Sequence, residues 1–294
     1  MRFGVGLPNA VAGVTRGRLL ERAVRAEELG ASTVACVDRL VYPSWETMTT
    51  LAAAAAVTER VGLLAGVLVA PLRTNTPLLA KQAATVDVLS EGRLTLGLGV
   101  GRRPDDYELS GADFRRRGAV LDAQLDTLGQ VWRESGAGTP GAVGPAPYDR
   151  ARGPRVLIGG QSEATLRRLE KHGEGWIAAA GLGGWTGALA FAERVRETWE
   201  KAGRPGHPRM VATVYAAGGP DPRSRARECI RHYYSFLGTA EADELAGHVL
   251  TDHAGLMKAR DELVAAGFDE MILLPTSDEP DDLDPLQYLV ENEG

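Results

Sequence analysis

The chain has 294 residues, 44% of them hydrophobic and 24% charged, with 33 Lys and Arg against 39 Asp and Glu and a formal net charge of -6. That length and apolar content suffice for a large buried core and exclude a disordered or low-complexity chain. The acidic balance argues against a sequence-independent nucleic-acid binder, which needs a basic face to release counterions.

The opening "MRFGVGLPNA" turns to glycines instead of a sustained apolar helix and does not read as a secretory signal. The longest apolar run, 61–72, is shorter than the roughly 20 residues of a membrane-crossing helix. Two cysteines, Cys36 and Cys229, are too few for a disulfide framework. A cytoplasmic protein with no membrane partner is therefore expected.

In chain order, strand-like runs fall at 2–7, 32–37, 61–69, 93–100, 155–159, 175–179, 209–216 and 269–275. Helical patterns fill the gaps at 18–30, 46–59, 77–90, 118–132, 164–169 and 256–267. Gly30, Ser90 with Gly92, and Gly267 supply stop signals. Several strands are apolar on consecutive positions, as a parallel strand covered on both faces requires. Eight alternating βα units predict an α/β protein, a (β/α)₈ TIM barrel forming a single domain over 1–294. A doubly wound open sheet is the competing arrangement. The Gly/Pro/Ala-rich segment 134–154 breaks the rhythm and reads as an insertion after the fourth βα unit, over one barrel face. The acidic tail 277–294 reads as a solvated loop in its first half.

In such a barrel chemistry collects at the C-terminal ends of the strands. The second strand ends on Asp38 and Arg39, the fourth on "GLGVGRR" with Val100, Gly101 and Arg102, and the fifth on "GGQS", Gly159 to Ser162. Ser162 is placed to cap a helix, and the two glycines before it leave backbone N–H groups uncovered, so the junction reads as a phosphate seat. "GLGVGR" fails as a dinucleotide fingerprint, because its third glycine position is Arg102. "GQSEA" fails as a nucleophile elbow, because its fifth position is Ala164 and a helix cap accounts for the serine. The five histidines lack metal-ligand spacing, so no metal is expected. Trp176, within a strand, reads as core. Arg117 opens the helix after the fourth strand and is placed to reach a phosphate.

Four ordered blocks, "RAEELGASTVACVDRL", "AGVLVAPLRTNTPLLAKQAATVDVLSEGRLTLGLGVG", "YELSGADFRRRGAVLDAQLDTLGQVW" and "PRVLIGGQSEATLRRLEKHGEGWI", resemble the bacterial luciferase-like family of flavin- and F420-dependent oxidoreductases. The resemblance implies a barrel with FMN or F420 at its C-terminal mouth and a non-proline cis peptide on the third strand, here Gly66–Val67. It implies Asp38 near the ring, Val100 and Gly101 near the ribityl chain, and Gly159, Gly160, Gln161, Ser162 and Arg117 near the phosphate. The luciferases proper carry a histidine where this chain has Arg39 and a reactive cysteine where it has Gly99, which argues against light emission. Asp38, Arg39 and Arg102 are the catalytic candidates by location.

The leading expectation is a monooxygenase that uses O₂ and reduced FMN, the latter supplied by a separate flavin reductase since no nicotinamide fingerprint is present, on a small organic substrate. An F420-dependent hydride-transfer enzyme is the alternative, with Arg102, Arg103, Arg115 and Arg116 available to its acidic tail, and a non-catalytic flavin-binding protein is a further one. The loops 40–47 and 102–116 and the 134–154 insertion are expected to set the substrate. A homodimer is expected from the resemblance.

Overall fold

The computed structural model describes residues 1–135, 141–179 and 184–292. Eight parallel strands, β1 (Arg2–Gly6), β2 (Thr33–Cys36), β3 (Gly62–Val69), β4 (Leu94–Gly99), β5 (Arg155–Gly159), β6 (Gly175–Ala179), β7 (Arg209–Tyr215) and β8 (Glu270–Leu274), pair in sequence order. β1 closes the barrel on β8 through Arg2 opposite Glu270 to Val5 opposite Leu273. All eight predicted strands are present, and the open-sheet alternative falls away.

The helices are α1 (Arg16–Glu28), α2 (Thr47–Ala55), α3 (Thr76–Leu89), α4 (Pro104–Ser110), α5 (Arg117–Glu134), α6 (Glu163–Lys171), α7 (Gly184–Lys201), α8 (Pro222–Tyr233), α9 (Thr239–Gly247), α10 (His253–Ala265) and α11 (Asp284–Glu291). Their start signals are local. Thr15, Glu46, Asn75, Ser162 and Asp252 each accept a first-turn N–H with the side chain. Most of the core lies between the strands and this helical shell, while Ala35, Leu64, Leu157, Ile177, Val211, Ile272 and Leu274 fill the barrel interior. Trp176 is fully buried between Phe191 and Phe268, as expected of a core residue.

Two expectations are corrected. The described part of the 134–154 segment packs beneath the barrel: the Tyr148 N–H donates to Asp87 at 2.9 Å, and a Cβ on Gly92, which precedes β4, would meet the Tyr148 ring at 2.7 Å. It is an αβ connection at the N-terminal face and does not line the mouth. The added helices at the mouth are α4 after β4 and the α8–α9 pair after β7, which has its own small apolar cluster of Ala217, Ala226, Ile230, Leu245 and Val249.

Nor is the first half of the tail a solvated loop. Asp282 is only 4% exposed and Leu283, Leu286 and Leu289 are buried, because Arg22 on α1 reaches Asp282 at 3.3 Å while giving its Nε to the Gly6 carbonyl at 3.0 Å. The α11 staple thus closes over the β1–α1 joint. No helix among the described residues is long and apolar enough to cross a membrane.

Candidate active site

Gly66 and Val67 are joined by a cis peptide, as the sequence resemblance implied. The β3–β4 register slips there: Ala65 faces Leu96 but Leu68 faces Leu98, so β3 carries an extra residue. The bulge turns the half-buried Val67 side chain across the barrel top. A Cβ on Gly99 would fall 2.8 Å from Val67 Cγ1, and one on Gly159 would fall 3.1 Å from Cγ2. The Val67 side chain thus crowds the glycines at the ends of β4 and β5, leaving no room for a Cβ at Gly99 and little at Gly159.

Beside the bulge, Asp38 is saturated. Arg73 grips it with both Nη atoms, at 2.6 and 2.9 Å, Thr47 donates its hydroxyl at 2.9 Å, and the Val69 N–H donates at 2.8 Å. Arg73 also reaches Glu46 at 3.0 Å, and this set of opposite charges raises its pKa against the cost of burial. Gln124 on α5 holds the Ala70 and Arg73 carbonyls at 3.1 and 2.9 Å. With every carboxylate position occupied, Asp38 suits an anchoring role for the end of β3. Arg73 was missed from sequence, although "APLRTN" follows the third strand directly.

Arg39 lies against the rings of Tyr42 and Tyr233, each centroid 4.4 Å from its Cζ, and donates to the Tyr233 carbonyl at the end of α8. It ties the α8–α9 cap to the loop after β2. Asp106 on α4 accepts the Leu40 and Val41 N–H groups at 3.2 and 2.6 Å, and Asn9 bridges the Val37 and Trp45 carbonyls at 2.8 and 3.2 Å. Arg103, 9% exposed, pairs with Asp105 and stacks on Phe236 at 4.3 Å. Arg102 stands exposed at the rim with no carboxylate partner among the described residues. The three catalytic candidates are thus divided: Asp38 in the bed behind the bulge, Arg39 in the cap joint, Arg102 on the rim.

At the other side of the mouth, Gly160 has φ +107°, a conformation that only glycine adopts without strain, and a Cβ there would meet Thr165 Oγ1 at 2.9 Å. That oxygen receives the Ser162 N–H at 3.3 Å while Ser162 Oγ accepts the Thr165 N–H at 3.4 Å, a reciprocal cap at the start of α6. The Gly160 carbonyl takes the Trp176 indole N–H at 2.7 Å, and Gln161 is exposed beside Gly187 of α7. Gly101 has φ +64° and abuts Val69, and the Val100 carbonyl accepts the Tyr107 hydroxyl. Arg117 stacks on Phe114 at 3.9 Å and donates to its carbonyl at 2.7 Å, but its buried Nε has no partner among the described residues. An orphaned guanidinium N–H, a capped helix start and a side-chain-free backbone fit a phosphate.

The top of the barrel interior is formed by Val37, Val67, Leu274 and Tyr215, the last the hydroxyl-bearing member. Tyr215 Oη lies 3.4 Å from that of Tyr234 on the cap, and burial followed by the neighbouring tyrosines pushes the Tyr215 phenol well above its usual range. Burial pushes the Cys229 thiol up to about 12, so it is an inert lining group. Among the described residues no cluster of His, Cys, Asp and Glu could hold a metal ion.

Residues 1–276 match the luciferase-like monooxygenase family. The chain belongs to that family. This luciferase-like protein is 30% identical over 200 residues, 63% of its length, to an F420-dependent glucose-6-phosphate dehydrogenase of Kribbella flavida, and that stretch spans 60% of the relative. Solved structures share its fold throughout. An F420-dependent secondary alcohol dehydrogenase in complex with an F420–acetone adduct superposes with a TM-score of 0.78 at 16% identity, over 99% of this chain and 97% of that one. The FMN-bound oxygenating constituent of 3,6-diketocamphane monooxygenase from Pseudomonas putida superposes with a TM-score of 0.73 at 16% identity, over the same shares.

Proposed function

We propose that this protein is an oxidoreductase that binds coenzyme F420 at the barrel mouth and exchanges a hydride with a small organic substrate. The observation that carries the choice of cofactor is the charge of the rim. Arg102, Arg115 and Arg116 are exposed beside the phosphate end of the mouth, and none has a carboxylate partner among the described residues. F420 extends beyond its phosphate into an acidic oligoglutamyl tail, whereas FMN ends at the phosphate, so unpaired arginines outside the seat suit F420. The sequence relative that uses F420 supports the same choice.

The residues divide the work. Gly160, Ser162, the α6 N-terminus and Arg117 would hold the phosphate, and the Val67 bulge, fixed by Asp38 and Arg73, would support the ring. When bound, the deazaflavin supplies a two-electron hydride donor or acceptor. Around it the chain supplies an apolar floor of Val37, Val67 and Leu274, and a cap that limits water.

Reduced FMN with O₂, delivered by a separate reductase, is the second reading, and it is favoured by the fact that the phosphate seat and bulge serve either ring. Equilibrium titration with F420 and FMN, each oxidised and reduced, separates the two. F420 is expected to bind at least about tenfold tighter, about 1.4 kcal/mol. Preferential binding of reduced FMN, with substrate-stimulated oxygen uptake, would replace hydride transfer by monooxygenation.

A further inference from the structure

We propose that the α8–α9 cap is a lid, clasped shut by Arg39, that opens as one body on its paired feet at the end of β7 and so uncovers the apolar top of the barrel. This goes beyond the choice of cofactor and does not depend on it.

The feet stand side by side. The Leu250 N–H donates to the Tyr215 carbonyl at 2.9 Å and the Ala217 N–H to the Leu250 carbonyl at 2.9 Å, so the chain leaves and re-enters the barrel at one place. Arg225 pairs there with Asp281 at 3.3 Å and Arg223 with Asp252 at 3.5 Å. Between the feet the excursion holds itself together. Arg227 and Arg231 of α8 both pair with Asp243 of α9, at 3.1 and 2.6 Å, and the two helices share the cluster of Ala226, Ile230, Leu245 and Val249. Among the described residues none from 217 to 249 packs into the main core, and Tyr215 alone packs against both this cluster and the barrel interior. An element with its own core and little shared apolar contact opens at low cost while the barrel stays folded.

The far end is fastened differently. Arg39 lies 4.4 Å from the Tyr42 and Tyr233 rings and donates to the Tyr233 carbonyl, Tyr42 Oη is 2.6 Å from His232 Nδ1, and Arg103 stacks on Phe236 at 4.3 Å. Such polar and cation–π contacts can be exchanged for water. The buried Arg39 Nε has no partner among the described residues, so opening satisfies an N–H that closure leaves unmet. Under the lid, Cys229 and Tyr233 face Leu7, Val37, Leu274 and Pro275 across a void of about 20 Å³, room for about one water. The lid rests on the barrel across this gap, which is too small for a ligand until the lid lifts.

The test is iodoacetamide labelling of the full chain without cofactor, with mass spectrometry to assign the modified cysteine. The half-buried Cys229 lines the gap, where burial pushes its thiol up to about 12 and keeps it unreactive while the lid is shut. Cys36, fully buried in β2, reports opening of the whole fold. In the wild type Cys229 is expected to react at least about tenfold faster than Cys36. Arg39→Met should raise the Cys229 rate about tenfold or more by removing the clasp, with the Cys36 rate and the melting temperature little changed. Tyr42→Phe, which keeps the ring and loses the hydroxyl beside His232, should raise it about two- to tenfold, and it carries the test alone if Arg39→Met does not fold. Equal rates for the two cysteines, a Cys229 rate unmoved by the substitutions, or acceleration of both cysteines by the same factor overturns the proposal. Because no F420 is present, a failure of the cofactor assignment would show in the F420 titration and leave these rates as they are.

Discussion

Arg73 and Asp38 form a two-bond fork, Nη1 to Oδ2 at 2.6 Å and Nη2 to Oδ1 at 2.9 Å, in which the carboxylate is 4% exposed and the guanidinium side chain 21%. The same carboxylate receives the Val69 N–H, so the ion pair fastens the strand end just past the bulge. Breaking such a pair from one side strands a buried charge. Arg73→Met is expected to cost about 3–5 kcal/mol in urea unfolding, and Asp38→Asn about 1–3 kcal/mol. Glu46→Gln, at the half-exposed outer end of the network, should cost less than about 1 kcal/mol. Equal costs for Arg73→Met and Glu46→Gln would mean that the fork does not hold the strand.

The clearance between Gly99 and Val67 yields a second expectation. Gly99→Ala should destabilise by about 1–3 kcal/mol, since its methyl would sit 2.8 Å from Val67 Cγ1. In a Val67→Ala background the same change should cost at least about 1 kcal/mol less, a coupling that a double-mutant cycle measures directly. Additive effects would mean that Val67 does not set the need for glycine at position 99.

The barrel was legible in the sequence because its strands are buried on both faces and announce themselves as apolar runs between glycine stops. The 2–7 and 209–216 runs needed only a residue trimmed at the end. The α8–α9 cap was not legible, since "PRSRARECIRHY" spends just Ala226, Ile230 and Tyr233 on burial and reads as a solvated charged stretch. Asp282 was misplaced for a related reason: its partner Arg22 lies 260 residues away, and no local pattern reveals such a pairing. The capped strand-to-helix junction at Ser162 was read correctly, whereas the crowding of Gly99 and Gly159 by Val67 was not legible, because a bulge on β3 decides it from outside their own strands. Tyr215 was hidden inside an apolar strand, where only the barrel's closure shows that its side chain faces the mouth.

Burial raises the Asp282 carboxyl to about 6, against the pull of Arg22, from an ordinary value of 3.8. The folded state therefore holds a proton that the unfolded chain has lost between about pH 4 and 6. Its contribution to stability is full below pH 4 and is lost as pH rises through 6, a change of order 3 kcal/mol at most. Asp282→Asn removes this titration. The stability difference between wild type and variant, followed by urea unfolding from pH 4 to 7, should move in favour of the variant as pH rises; a flat difference would mean that Arg22 holds the carboxylate charged throughout.

The arginine rim makes the cofactor assignment sensitive to salt. Exposed charges interact over about 8–10 Å near physiological ionic strength, and added salt shortens that reach. If Arg102, Arg115 and Arg116 attract the acidic tail of F420, the F420 dissociation constant should rise steeply between low and moderate salt, while that of FMN should change little. Replacing the three arginines with glutamine should flatten the F420 slope and weaken binding at low salt by about tenfold, roughly 0.5 kcal/mol for each exposed contact. The seat itself lies inside the rim, so FMN affinity should survive the triple change. Arg117→Met should do the reverse, weakening both cofactors alike by removing the half-buried guanidinium at the phosphate. An F420 affinity indifferent to salt and to the three substitutions would remove the charge argument for the deazaflavin and leave reduced FMN as the better reading of the same mouth.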